Sequence, residues 1–366
     1  MPLFKKQIFC IFTLLLFPAL LHAQVAEICD NGIDDDGDLL IDCEDEECLP
    51  HLEGFSDGFL GNSDSYDIAL GDLDGDGDLD AWVANYGQAN RVWINQGGAQ
   101  GGTPGTYADS GQALGNSVSY AVALGDLDGD GDLDAWVGNI SIQANRVWIN
   151  QGGDQGGTSG TYAESFQALG NSQSYGVALG DLDGDGDLDA WVSNYNSQAN
   201  QAQPNRVWIN DGFGSFTDSG QAKALGNSSS YGVALGDLDG DGDLDAWVAN
   251  NGQANRVWIN QGGDQGGAPG IYVDSGQALG NSNSYGVAVS DLDGDGDLDA
   301  WVANLGQANR VWINQGGDQG GTPGIYTDSG QSLGGSNSTG VILGDLDDDG
   351  DLDAWVANNS QPNRVW

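Results

Sequence analysis

The chain has 366 residues, a formal net charge of −46, and nine Lys plus Arg against 55 Asp plus Glu. That balance excludes nucleic acid and anionic membrane surfaces as partners, because almost nothing is left to neutralise phosphate. A hydrophobic content of 39% and twelve tryptophans exclude an acidic disordered chain.

The first element is a targeting segment. Lys5 and Lys6 form a short basic region, Ile8 to Leu21 is an apolar run, and Leu21-His22-Ala23 offers small residues for cleavage before Gln24. Residues 1–23 therefore read as a signal peptide of the general export type. The product is expected to be secreted, with the periplasm and the cell surface as alternatives. Cys10 lies inside the apolar run, away from the cleavage point, and does not look like a lipidation cysteine. No other run approaches the ~20 apolar residues that span a bilayer.

Residues 24–51 form the next unit, rich in Cys and Asp. Cys29, Cys43 and Cys48 are the cysteines left after cleavage. In an oxidising compartment two of them are expected to pair, and the sequence does not choose which. Asp34, Asp36, Asp38 and Asp42 have the spacing of cation ligands, but Leu39 stands where a turn glycine belongs. A calcium site and a merely acidic disulfide knot both remain open there.

Residues 52–366 are a repeat. The acidic word, "DLDGDGDLD" in the first five copies and "DLDDDGDLD" in the sixth, begins at Asp72, Asp126, Asp181, Asp237, Asp291 and Asp345, at intervals of 54, 55, 56, 54 and 54. A period near 50 means one supersecondary unit used many times. A unit contains "YGVALGD" (Tyr231–Asp237), the acidic loop, "DAWVAN" (Asp245–Asn250), "NRVWIN" (Asn255–Asn260) and "GIYVDSGQAL" (Gly270–Leu279). These segments are rich in Val, Ile, Trp and Tyr and are bounded by Gly, Asn and Ser, which predicts four strands per unit and no helix. The fold class is all-β: a β-propeller of six four-stranded blades. Seven blades is the lesser alternative. The Gly/Ala-rich first strand suits the crowded axis, and the Trp pair, such as Trp247 and Trp258, suits packing between blades. The last unit stops at Trp366 after its third strand, while Gly54–Tyr66 matches the fourth-strand segment of a unit. An N-terminal strand is therefore expected to complete the last blade and close the ring, which removes the exposed edge.

Each acidic loop places Asp at positions 1, 3, 5, 7 and 9. The residues are Asp72, Asp74, Asp76, Asp78 and Asp80; Asp126, Asp128, Asp130, Asp132 and Asp134; and Asp181, Asp183, Asp185, Asp187 and Asp189. The other three loops carry Asp237, Asp239, Asp241, Asp243 and Asp245; Asp291, Asp293, Asp295, Asp297 and Asp299; and Asp345, Asp347, Asp349, Asp351 and Asp353. Alternate carboxylates on a tight turn converge, and glycine at position 6 permits the turn. Converging carboxylates repel unless a hard cation sits between them. Calcium, with six to eight oxygen ligands at about 2.3–2.6 Å, fits. The expected ligands are the side chains at positions 1, 3, 5 and 9 with the carbonyl at position 7, about one ion per loop. The side chain at position 7 need not ligate, and spacing alone does not explain why it is always Asp. An EF-hand is excluded, because position 12 is Val83 where that loop needs Glu between two helices.

The unit "VALGDLDGDGDLDAWVAN…NRVWIN" resembles the FG-GAP or VCBS repeat of integrin-α-like β-propellers, over about residues 52–366. The resemblance implies that the acidic loop joins the first two strands of a blade and binds calcium, which carries to each Asp above. Ile209–Gly220, "INDGFGSFTDSG", is nearest that family's outer hairpin, and the other full units lengthen it with a Gly-rich insertion such as "QGGDQGGTPG". The sixth loop departs only at Asp348. Glu27–Cys48 is similar to short cysteine-flanked acidic modules of bacterial secreted proteins.

After cleavage the chain keeps one histidine, His51, and one lysine, Lys223, neither in a repeated motif. No catalytic constellation can be drawn. The six arginines (Arg91, Arg146, Arg206, Arg256, Arg310, Arg364) share one repeat position. They are expected to be structural, each bonding a carboxylate or carbonyl of the neighbouring blade. The loops on the face opposite the acidic loops are rich in Asn, Gln, Ser and Tyr. One position there varies between blades: Tyr86, Ile140, Tyr195, Asn251, Leu305 and Asn359. Varied tips on a fixed frame suit recognition. The function expected is a calcium-binding, non-enzymatic binding or adhesion module for glycan or protein ligands. The alternative is an extracellular polysaccharide-active lyase or hydrolase on the same scaffold.

Overall fold

Each word of the repeat becomes one strand, because each is a short β-branched and aromatic run closed off by Gly, Asn or Asp. The computed structural model describes residues 60–195, 203–347 and 349–366. The leader, the cysteine-bearing segment and the proposed closing strand before Leu60 lie outside them.

Blade 1 comprises β1 (Ser65–Gly71), β2 (Asp80–Asn85), β3 (Arg91–Asn95) and β4 (Tyr107–Asp109). Blade 2 comprises β5 (Ser119–Gly125), β6 (Asp134–Asn139), β7 (Arg146–Asn150) and β8 (Tyr162–Glu164). Blade 3 comprises β9 (Ser174–Gly180), β10 (Asp189–Asn194), β11 (Arg206–Asn210) and β12 (Phe216–Asp218). Blade 4 comprises β13 (Ser230–Gly236), β14 (Asp245–Asn250), β15 (Arg256–Asn260) and β16 (Tyr272–Asp274). Blade 5 comprises β17 (Ser284–Ser290), β18 (Asp299–Asn304), β19 (Arg310–Asn314) and β20 (Tyr326–Asp328). Blade 6 comprises β21 (Ser338–Gly344), β22 (Asp353–Asn358) and β23 (Arg364–Val365).

Every sheet is an antiparallel meander in chain order. The result is the six-bladed β-propeller that the repeat predicts. Five sheets have four strands and the sixth has three among the described residues. In blade 1 the register pairs Ser65 with Asn85 at one end and Gly71 with Asp80 at the other. The acidic loops therefore emerge at one face of the propeller and the β2–β3 type loops at the opposite face. The inner strands β1, β5, β9, β13, β17 and β21 pack in succession. Small residues line this crowded inner layer: a Cβ on Gly176 would stand 2.4 Å from the carbonyl oxygen of Tyr231.

The core lies in the seams between blades. The first seam joins Trp82, Val92 and Leu114 of blade 1 to Val122, Val137 and Trp148 of blade 2. Trp82 is fully buried and meets the edge of Tyr162 at a centroid distance of 6.3 Å. Each such side chain contributes about 1.5–3 kcal/mol by leaving water. The same seam recurs between the next blades. Among the described residues, β21 and β1 do not pack on one another to the extent that the other successive inner strands do. The side chains that would build that seam, Ile68, Leu70 and Leu79 on blade 1 and Leu346, Trp355 and Val365 on blade 6, are exposed.

The arginines stay inside their own blade, contrary to the expectation of a neighbour's partner. Arg146 pairs with Glu164 at 3.2 Å across β7 and β8 and donates to the carbonyl of Gln167 at 3.0 Å. The reason is register: Glu164 pairs with Trp148, two residues along β7 from Arg146, so the two charged side chains are diagonal neighbours on one face of the sheet. Arg364, whose blade has no fourth strand among the described residues, lies over the Trp366 ring at 5.8 Å.

Candidate metal centre

The acidic loop is wound by its own first residue. Asp72 Oδ1 accepts the N–H groups of Gly75 (2.8 Å) and Asp76 (3.0 Å), and Oδ2 accepts that of Gly77 (2.9 Å). Asp126, Asp181, Asp237 and Asp291 repeat the pattern. In the sixth loop Asp345 accepts from Asp349 (3.2 Å) and Gly350 (3.0 Å). The glycines at positions 4 and 6 sit at φ near +80° and +95° in the first loop, where a Cβ is disfavoured.

Position 9 is the anchor. Asp80 opens β2 and is fully buried. Its Oδ2 accepts from Leu73 N (2.9 Å) and Asp74 N (3.3 Å), and its Oδ1 accepts from Asn95 N at the end of β3 (2.7 Å). Burial raises the carboxyls at this position: Asp134 and Asp189 to about 7, Asp245 to about 8 and Asp299 to about 6. Backbone N–H donors pull the other way without cancelling the burial cost.

Position 3 carries an open valence in four loops, and position 7 carries one at Oδ2 of Asp78, Asp243 and Asp297. Asp74 Oδ1 is buried and has no hydrogen-bond partner, and the same atom of Asp128, Asp183 and Asp239 is in the same condition. Burial, then the neighbouring carboxylates, raise Asp128 and Asp239 to about 6. In these four loops carboxylate oxygens from positions 1, 3 and 9 lie within 4.8 Å of one another: Asp72, Asp74 and Asp80, then Asp126, Asp128 and Asp134, then Asp181, Asp183 and Asp189, then Asp237, Asp239 and Asp245. In the fifth loop the converging group is Asp291, Asp293 and Asp295. A buried carboxylate oxygen without a donor is costly, and three carboxylates brought together add their mutual repulsion. An oxygen-seeking divalent cation satisfies all three, so the residues present fit a hard cation.

Positions 5 and 7 face a second element. Between β3 and β4 the Gly-rich insertion forms a 3-10 turn, Gly98–Gln100, that folds over the acidic loop as a lid. Asp76 Oδ2 accepts Ala99 N (2.9 Å), and Gln100 Nε2 donates to Asp74 Oδ2. Gln155 donates to Asp128 (2.5 Å), Gln265 to Asp239 (2.6 Å) and Gln319 to Asp293 (2.6 Å). Asp78 lies under the lid: a Cβ on Gly97 would stand 2.0 Å from its Oδ2. The lid glutamines were not among the residues singled out from sequence. Their signal was there, since "AQGG" or "DQGG" recurs at nearly one distance after the first, second, fourth and fifth loops. Blade 3 has no lid; its short hairpin is closed by Asp211 Oδ1, which accepts from Phe213 N and Ser215 N.

A third contact ties each of the first four loops to the next blade. Asn150 Nδ2 donates to the carbonyl of Leu73 (2.9 Å), Asn210 to Leu127 (2.8 Å), Asn260 to Leu182 (2.9 Å) and Asn314 to Leu238 (2.9 Å). Loop geometry and the seam between blades are thus mechanically linked.

On the opposite face many amides serve the frame. Asn85 Nδ2 donates to Ala89 O (2.7 Å), and Asn90 Oδ1 accepts from Asn85 N (2.9 Å). Of the varied tips, Tyr86 and Asn359 are exposed, Tyr195, Asn251 and Leu305 half-buried, and Ile140 buried. No helix among the described residues is long and apolar enough to cross a membrane.

A propeller whose blades each carry a carboxylate cage between the first two strands defines a class of repeat protein. The FG-GAP-like repeat matches residues 72–137, 126–192, 193–248, 239–302 and 291–356, and the chain belongs to that family. No curated protein matches the chain. Among solved structures, one similar in fold is a lectin of Agrocybe aegerita, described as recognising non-reducing terminal N-acetylglucosamine. It is 19% identical over 83% of this chain and 80% of that chain, with a TM-score of 0.48.

Proposed function

We propose that this protein is an exported, calcium-loaded β-propeller that acts as a binding or adhesion module for glycan or protein ligands. It is read as a binding module and not as an enzyme. The export reading rests on the basic-apolar-small order of residues 1–23. The division at residues 24–51 and 52–366 belongs to the same reading.

The observation that carries the calcium assignment is the unpartnered Oδ1 of Asp74, Asp128, Asp183 and Asp239, each belonging to a group of converging carboxylates. Positions 1, 3 and 9 supply the first ligands; positions 5 and 7 reach the lid and supply outer ligands or support. Calcium bound there fixes the loop, and through Asn150 and its counterparts the seam to the next blade. A frame held this way presents the loops of the opposite face to a partner.

Calorimetric titration of chelated protein with Ca²⁺ tests the metal. Saturable binding of several ions and a melting temperature raised by calcium are expected. A chelated sample that binds no calcium and melts unchanged overturns the assignment. A glycan and protein array probed with calcium-loaded protein tests the module; turnover of a polysaccharide with release of chain ends would reverse the order of the two functional readings.

A further inference from the structure

The inner strands open, at the face away from the acidic loops, into a cavity of about 380 Å³ on the propeller axis. Tyr66, Tyr120, Tyr175, Tyr231 and Tyr285, the second residue of the inner strand in five blades, line it together with Asp67. The rings form a continuous arc with successive centroid distances of 4.8, 4.2, 4.5 and 4.1 Å. Tyr86 and Tyr195 extend it outward at 5.1 Å from Tyr66 and Tyr175. Blade 6 has Thr339 at this place, which leaves a gap in the arc.

Asp67 breaks the repeat. The equivalent residues are Ala121, Gly176, Gly232, Gly286 and Gly340, all small. Its Oδ2 accepts Val122 N (2.9 Å) and its Oδ1 accepts Ile68 N (2.9 Å), so the carboxylate is held in place by backbone donors and each oxygen keeps a lone pair. Among the described residues no Lys or Arg lines the cavity. Among the described residues the only hydrogen bond joining these phenols is that of Tyr285 to Tyr231, at 3.4 Å.

We propose that this tyrosine-lined channel mouth binds an alkylammonium group, quaternary or at the end of a lysine side chain, with Asp67 as its counter-charge. Aromatic faces attract cations through the ring quadrupole, most strongly where water is excluded. A fixed carboxylate in a cavity without cationic side chains adds to that attraction, and the −46 net charge of the chain has the same sign. Burial raises Asp67 to about 6, so it is charged at and above neutrality. The rings tilt against one another by 37° to 60° and leave no flat platform of the kind a pyranose face stacks on. The site does not depend on the acidic loops holding calcium.

The test is calorimetric titration of the folded, calcium-saturated protein at about pH 8, above the raised range of Asp67. Choline, trimethyl-lysine and lysine methylamide are the ammonium probes, and 3,3-dimethylbutan-1-ol is the neutral isostere of choline. One ammonium site per chain is expected, with the isostere at least about tenfold weaker. Whether choline or the lysine probes bind better identifies the source of the group, and binding by either supports the site. Asp67→Asn and Tyr120→Leu should each weaken binding about tenfold. Asp67→Ala, which installs the residue found at position 121, separates a lost charge from a lost fold. Equal binding of choline and its isostere, ammonium binding unchanged in folded Asp67→Ala protein, or no ammonium binding at about 10 mM would each overturn the proposal.

Discussion

Gln112 of blade 1 clamps Tyr162 of blade 2: its Oε1 accepts the Tyr162 N–H at 2.8 Å while its Nε2 donates to the Gly160 carbonyl at 2.6 Å. Gln167 does the same to Phe216 and Gly214, and Gln277 to Tyr326 and Gly324. The outermost strand of every clamped blade is only three residues long, so a side chain from the preceding blade supplies bonds that its own sheet does not.

Gln167→Ala should therefore loosen blade 3 at its rim. Two hydrogen bonds are lost and two backbone groups are left to find water, so about 1–3 kcal/mol of stability is expected to go. Chemical denaturation with calcium held constant measures it; a midpoint unmoved by the substitution would show that the clamp adds nothing.

Gln331 stands at the same place in blade 5, facing the position of a fourth strand in blade 6. If the segment Phe55–Asp57 supplies that strand, as the sequence match suggests, Gln331→Ala should cost about as much as Gln167→Ala. Deletion of residues 52–62 should abolish the difference between Gln331 and Gln331→Ala proteins and promote association through the freed edge. A Gln331→Ala protein indistinguishable from the parent argues against closure by the N-terminal segment.

Asp239→Asn should remove one calcium ion from the stoichiometry. Its effect on melting should appear in calcium and vanish in chelator, because an ion bound at 100 times its Kd stabilises by about 2.7 kcal/mol and an absent ion by nothing. An equal loss in both conditions would mean that Asp239 acts only through packing.

The pH dependence of the metal-free protein has a definite sign. Asp134, Asp189 and Asp245 are raised by burial to about 7, 7 and 8, against about 3.9 in an unfolded chain. Between those limits the folded state binds more protons than the unfolded state, so stability falls as pH rises. Chelated protein should melt higher near pH 5 than near pH 8. Excess calcium should invert the trend, since the ion replaces the proton and binds better as the carboxylates ionise. A chelated melting curve that climbs with pH would contradict the burial of these groups.

The lid offers a paired comparison. Gly262→Ala would place a Cβ 1.9 Å from Asp243 Oδ2, so lid or loop must shift and calcium affinity in blade 4 should drop. Gly266 has open space around it and differs only in its φ of +65°, so Gly266→Ala should cost about 1 kcal/mol of stability and leave calcium affinity alone. Isothermal titration of both variants separates the two.

Much of this was legible in the residues themselves. Strand identity, the four-strand unit and the placement of the acidic loop between β1 and β2 follow from local chemistry: β-branched and aromatic runs, glycine where φ is positive, and alternating carboxylates that can stand together only around a cation or a proton. The period near 54 residues then fixed the number of blades. Contacts between distant residues were not legible, because no local rule records them. Only the fold could bring Gln100 over Asp74, place Gly97 against Asp78, keep each arginine inside its own blade, or gather five tyrosines and Asp67 around one axis. Periodicity states what each blade contains; the curvature of the sheets about a common axis decides which of those copies meet.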